Sequence, residues 1–338
     1  MRFQKTHKLL NLLILLMLSA QAWSLSCGDS VSSNIVMTHD LNCTTGFHAL
    51  EVTANNVTIN MNGYRISGSS SLSGIDVFNH SNVTIKNGLI SGFWSGINSF
   101  KSDKLMVNAV TFYNLGTGVI INSGNKATVF DSNFYYINAQ GVSVRRNNFG
   151  TTANDNVIVQ NQFYKNFIAI ELCGDKSDSN EISNNFIWKS LSYGININFS
   201  DANTISDNDI INSSDAGLKM NNSSYNNVLS NNISEGNNDG VALIASHNSA
   251  CSGTAPNASY KNNFKYNYIE KFNVGVNMGG LGSYNPFTGV SLNTLKDNKI
   301  YNDGIGIFFH QDAHYNSTFN GYQGTVTPII DNGIGNTY

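Results

Sequence analysis

The chain has 338 residues, a formal net charge of -3 and only 12% charged residues. That balance, with no basic stripe, excludes the electrostatic footprint of a nucleic-acid-binding protein. Charge this sparse, beside 30 glycines and 3 prolines, argues against a compact α/β enzyme and suits a surface covered by Asn, Ser and Thr.

Residues 1–22 read as a secretory signal peptide. Arg2, Lys5 and Lys8 give a positive start, residues 9–18 an apolar stretch too short to span a bilayer comfortably, and Ala20-Gln21-Ala22 a small-x-small cleavage pattern. No later segment has the length to cross a membrane, so the mature protein is expected to be secreted, periplasmic or on the cell surface, with no membrane span. Residues 23–56 are expected to form an N-terminal cap with short strands at 35–37 and 50–52, because an uncapped sheet edge templates aggregation. Cys27 and Cys43 flank the first of these strands, and in an oxidising compartment they are placed to form a disulfide.

From 57 to 309 one unit recurs: a small residue, alternating apolar and polar residues, then an Asn-rich turn. It reads Gly118-Val119-Ile120-Ile121, Gly141-Val142-Ser143-Val144, Ala169-Ile170-Glu171-Leu172, Gly194-Ile195-Asn196-Ile197 and Gly217-Leu218-Lys219-Met220. A period in the low twenties with strand-like alternation predicts an all-β solenoid of one domain. A second apolar pair five residues apart, as in Val129/Phe134 and Ile158/Phe163, fits three short strands per coil and about eleven coils. Between the members of that pair stand Asn161, Asn185, Asn208, Asn232, Asn267 and Asn298. These are expected to occupy the left-handed corners and to hydrogen-bond from coil to coil as an internal ladder. Phe112, Phe134, Phe163 and Phe264 are expected to stack in the core. Tyr113, Tyr135 and Tyr164 follow three of these Phe residues and are expected to point outward, where they can stack on sugar rings.

Longer steps in the period mark insertions at 145–156, 173–180, 245–262 and 279–293. All leave the same strand of the unit, so they are expected to line one edge and border a binding surface. Cys173 and Cys251 lie three coils apart, about 14 Å at about 4.8 Å per coil, too far for a bond between strand positions. Cys251 falls in a long insertion that can fold back, which leaves this second pairing open.

Alternation turns Ser143/Arg145, Glu171/Cys173, Asn196/Asn198 and Lys219/Asn221 outward on neighbouring coils. Three charges in so short a stretch of a charge-poor chain make Arg145, Lys219 and Glu171 the candidate catalytic residues. Asn196, Asn198 and Asn221 are the candidate substrate-binding residues beside them. The plain alternative is an exposed ion pair worth under about 1 kcal/mol. No metal-ligand set is assigned. His310-Gln311-Asp312-Ala313-His314 reads as part of a polar C-terminal cap (310–338), and Asn237-Asn238-Asp239-Gly240 as a turn.

Cys27-Gly28-Asp29, the run from Asn55-Asn56-Val57-Thr58 through Asn62-Gly63-Tyr64-Arg65 to Ser67-Gly68, and the repeated Asn-Asn-x-Ile units carry a resemblance. The chain resembles the right-handed parallel β-helix proteins of pectin-lyase-like fold, and among them the NosD/mannuronan-epimerase-like group. The resemblance implies a polysaccharide partner. Relatives of that kind include lyases, uronan C5-epimerases, hydrolases, tailspikes and surface proteins with no catalytic site. A hydrolase needs two carboxylates flanking one bond, and no such pair is evident. Lyase or epimerase chemistry needs a base for the proton α to a uronate carboxylate and a cation for the enolate. Arg145 or Lys219 fits those roles, with Glu171 orienting the cation or binding Ca²⁺, the one cofactor this chemistry leaves room for. The leading expectation is an exported protein that binds and modifies an acidic polysaccharide; the rival is a non-catalytic glycan-binding or adhesin-like scaffold.

Overall fold

The computed structural model describes residues 25–69, 71–146, 151–175, 177–245, 251, 258–279 and 289–338. The expected signal peptide lies outside the described residues, as do parts of all four insertions. Every regular element among the described residues is a strand, and no helix there is long and apolar enough to cross a membrane. One parallel sheet runs the length of the molecule with thirteen strands, from Asp29–Val31 to Thr327–Asp331. The shorter strands of each coil build the remaining walls. The terminal segments expected as caps carry strands of this long sheet themselves, Asp29–Val31 and His48–Val52 at one end and Thr327–Asp331 at the other. That is why it holds slightly more coils than the repeat count gave.

The core follows from the unit. Val142, Ile170, Ile195, Leu218 and Val241 stand in register on consecutive strands and are fully buried. Each such side chain contributes about 1.5–3 kcal/mol by leaving water. The small residue before them also faces the core: a Cβ on Gly217 would stand 2.3 Å from Cγ2 of Ile233. Two successive residues therefore point inward, a break in strict alternation that matters below. Phe112, Phe134 and Phe163 stack face to face with centroids 4.7 Å apart at each step; Phe264, expected to join them, is buried but stands between Val228 and Leu295 on the neighbouring coils.

The Asn residues form two ladders. In one, Asn161, Asn185, Asn208, Asn231, Asn267 and Asn298 each donate Nδ2–H to Oδ1 of the next, at 2.8–3.1 Å. A parallel ladder runs through Asn156, Asn180, Asn203, Asn226, Asn262, Asn293 and Asn316. The expected member Asn232 is displaced by its neighbour: Asn231 is buried, whereas Asn232 reaches Asp209 on the outside. The left-handed residue is also one step earlier than expected, at Gln160, Asn184, Asp207, Ser230, Tyr266 and Asp297. A non-Gly residue there costs about 1–2 kcal/mol. The ladder amide one residue on offsets this by satisfying buried backbone groups that a sharp corner would orphan.

Asp303 is buried, accepting the Phe272 N–H at 2.8 Å through Oδ1 while Oδ2 has no partner. Burial pushes its carboxyl up to about 7, with Glu270 adding in the same direction. A folded-state value above the unfolded one means its stabilising share is complete in acid and is lost as pH rises through about 7. Asp303→Asn, which keeps an acceptor for Phe272, should therefore raise the melting temperature over the parent at about pH 8 and leave it close to the parent at about pH 4. Equal differences at both values would remove Asp303 as the cause.

Candidate functional site

The outer face of the long sheet presents three rows, one residue per coil, about 4.8 Å apart along the axis. The middle row reads Ser143, Glu171, Asn196, Lys219, Ala242 and Asn277. Toward the strand ends lie Asn122, Arg145, Cys173, Asn198, Asn221 and Ile244. Toward the strand starts lie Gln140, Ile168, Tyr193, Ala216, Asp239 and Val274. The insertions leave strands ending at Arg145, Cys173, Ile244 and Met278, so they do share one edge of this face.

Both cysteine pairs are bonded, Cys27 to Cys43 and Cys173 to Cys251. The second brings Cys251 to a Cα–Cα distance of 5.4 Å from Cys173, although the chain left the sheet three coils further on, at Ile244. Asn198 and Asn221 lie between Cys173 and Ile244 in that row. They face outward as the alternation requires, yet they and Asn196 are buried, where open, solvent-facing positions were expected.

The three expected charges are not gathered at one opening. Glu171 is largely buried, and burial pushes its carboxyl upward against hydrogen bonds from Asn196 and Gln140 and the positive charges of Arg145 and Lys219. The Asn196 bond is 3.0 Å from Nδ2 to Oε1. Burial pulls Arg145 down while Glu171 holds it up, and the guanidinium Nε has no partner. Two coils from Glu171, Lys219 instead lines a depression of about 570 Å³ with Tyr193, Asp215, Asn238, Asp239 and Asn273. Its ammonium donates to the Tyr193 hydroxyl at 3.2 Å and stands 4.5 Å from the centre of that ring.

Asp239 begins the strand Asp239–Ile244 rather than sitting in a turn, because the residue before the small one opens each strand. Burial pushes its carboxyl up to about 6, against a hydrogen bond from Asn277. The Asn277 amide nitrogen donates to Asp239 Oδ2 at 3.0 Å, and its oxygen lies 2.8 Å from His310 Nε2. With the amide oriented by the carboxylate, that oxygen can only accept, so His310 donates from Nε2. Asp215 accepts from the Ser192 hydroxyl at 2.7 Å.

Tyr193, Asp239 and His310 were not among the expected site residues. Strict alternation assigns the residue before the small one to the core. Because the small residue and its successor both face inward, that residue turns out to the surface. The signal was present as a row that is polar at most coils, His48, Ser73, Ser95, Thr117, Gln140, Tyr193 and Asp239, interrupted by Ile168 and Ala216.

Residues 149–285, less than half of the chain, match the family model described as periplasmic copper-binding protein (NosD). No curated protein matches the chain in sequence. Among solved structures it is similar to a PL6 alginate lyase in complex with trisaccharide, at 14% identity and a TM-score of 0.60, covering 96% of this chain and 81% of that one. It is similar to the A-module of the Azotobacter vinelandii mannuronan C-5 epimerase AlgE6, at 11% identity and a TM-score of 0.60, covering 91% of each. The periplasmic alginate epimerase AlgG aligns at 10% identity and a TM-score of 0.55, over 93% of this chain and 78% of that one. The chain is a right-handed parallel β-helix protein.

Identities this low carry the fold alone, so the site of this β-helix stands on its own residues. For the copper named in the family description, no donor set converges among the described residues: no three His, Cys, Asp or Glu side chains come together there. All four cysteines of the β-helix are in disulfides, and Met220 and Met278 are buried in its core.

Proposed function

We propose that the protein works outside the cytoplasm and binds an acidic polysaccharide along the outer face of the long sheet. There it transfers the C5 proton of a uronate unit, as a lyase or a C5-epimerase. The Lys219–Tyr193 pair, open to a depression that also holds Asp239 and Asp215, carries the reading. Its two disulfides are of the kind that persist in oxidising compartments.

Tyr193 is the proton-transfer group. The neighbouring ammonium of Lys219 stabilises the negative charge that moves onto the uronate carboxylate once the C5–H bond breaks. A water on the opposite face returns a proton to C5 and completes an epimerisation. In a lyase the same electron pair forms C4=C5, the C4–O4 bond breaks, and O4 takes up the proton that Tyr193 removed from C5. Asp239 suits a hydrogen bond to the substrate carboxylate: raised to about 6, it holds a proton in mildly acidic solution. In their ionised forms Asp215 and Asp239 would be the residues to hold Ca²⁺, which would supply positive charge beside the uronate carboxylate. Arg145 and Glu171 act at a distance, setting the field along the middle row.

Proton NMR of the purified protein with polymannuronate, polygalacturonate and glycosaminoglycans, with and without Ca²⁺, tests this. New olefinic signals identify a lyase, and altered anomeric signals without cleavage identify an epimerase. An unchanged spectrum across the panel overturns the proposal and leaves the glycan-binding scaffold.

A further inference from the structure

The wall away from the long sheet carries a feature that the chemistry at Lys219 does not use. Tyr113, Tyr135, Tyr164 and Trp188 end the strands Met106–Tyr113, Asn133–Tyr135, Gln162–Tyr164 and Phe186–Trp188, and they stand in register on four consecutive coils. The residue before each is a core residue, so the row faces outward. With Tyr136 at the corner, the rings touch in sequence. Tyr113 meets Tyr136 at 5.7 Å, Tyr136 meets Tyr164 at 5.5 Å, and Tyr164 meets Trp188 at 4.9 Å between centroids. Tyr113, Tyr136 and Trp188 remain 47%, 42% and 38% exposed. Burial this incomplete gives the fold little return for so much aromatic surface.

Charge runs beside the rings. Lys165 and Lys189 occupy the equivalent corner on adjacent coils, each in the left-handed conformation. The Lys165 ammonium stands 5.7 Å from the centre of Tyr136 and 5.4 Å from that of Tyr164, and Lys189 stands 4.5 Å from Trp188. Neither the aromatic row nor this stretch of corners, from Asn114 to Asn212, contains a carboxylate. Where the aromatic row ends at Ile211, the corner goes on to Asn212 and then Glu235.

We infer that this strip is a second binding site, for an anionic polysaccharide lying parallel to the solenoid axis. Pyranose faces lie against the aromatic rings, and carboxylates or sulfates meet Lys165 and Lys189. Coils rise by about 4.8 Å, so a polymer running along the axis meets a new ring at each coil. A single row of rings is too narrow for a protein interface, which takes about 800 Å² from each partner. Paired cations at that spacing select a polyanion over a neutral glycan.

The test is ¹⁹F NMR of protein labelled with 5-fluorotryptophan, with the Trp188 resonance assigned by Trp188→Phe and exposed Trp94 as internal control. Addition of polymannuronate or polygalacturonate fragments should shift Trp188 and leave Trp94 in place, and dextran should shift neither. The double variant Lys165→Glu, Lys189→Glu should need about tenfold more polyuronate for the same shift, a loss of about 1.4 kcal/mol; Lys165→Arg, Lys189→Arg should not. A silent Trp188 at saturating polyuronate, or an equal response to dextran, overturns the site. So does a rise in molar mass on light scattering that the Glu variant abolishes, because the strip then joins copies of the chain. A Lys219→Ala protein should retain the Trp188 shift, so loss of turnover and loss of the strip are read separately.

Discussion

Lys219→Ala is expected to lower polyuronate turnover by about a thousandfold, within the range that one positioned proton-transfer partner supplies. The melting temperature should stay near that of the parent. Tyr193→Phe removes a single oxygen 3.2 Å from the Lys219 ammonium and should fall by a similar factor in kcat with little change in KM, since the phenol acts on the proton and not on binding. Arg145→Ala should behave differently. It removes one of the positive charges that favour the ionised form of Glu171 and leaves the depression at Lys219 in place, so the thermal midpoint should fall while turnover changes less than in Lys219→Ala. Steady-state kinetics with melting curves on the three variants separates these effects. A Lys219→Ala protein with parental turnover would end the assignment of the depression as the reaction site.

The second large effect sets two adjacent residues of one type against each other. Asn231 accepts from the backbone N–H and Nδ2–H of Asn208, and donates to Asn267 Oδ1 and to the carbonyl oxygens of Ile205 and Leu229. Asn231→Ala leaves several of these buried groups without a partner, at about 1–3 kcal/mol each, and a total near 4 kcal/mol is expected. Asn232→Ala removes one exposed bond to Asp209 and should fall within about 0.5 kcal/mol of the parent. Chemical denaturation of the two variants, with hydrogen exchange on the flanking coils, measures the difference. Equal effects would mean that the ladder runs through the wrong residue.

That pair also shows how far the sequence can be read. The period, the strand-like alternation and the Phe stack were legible because burial imposes a side-chain pattern that survives coil after coil. Asn231 and Asn232 could not be told apart by composition. Only the direction of the chain at the corner decides which amide enters the core, and the left-handed residue proved to be Ser230, not an Asn. The site was partly legible for the same reason. Lys219, Glu171 and Arg145 were placed on the outer face by alternation. Their separation into one residue at an opening and two packed into the sheet depends on what lies above them, which a period does not encode. Tyr193 and Asp239 were hidden by a local departure from alternation at Gly194 and Gly240. The Cys173–Cys251 bond was left open because coil counting measures distance along the axis and not the path of an insertion.

The two ladders make length a free variable of this architecture. Each rung accepts from the coil before and donates to the coil after in the same geometry, as between Asn185 and Asn208 or Asn203 and Asn226, both 23 residues apart. Insertion or loss of one whole coil therefore leaves every remaining rung chemically unchanged and only alters how many there are. Genetic duplication of such a unit would extend the molecule like an added section of track, lengthening the surface offered to a polymer without redesigning any part of it.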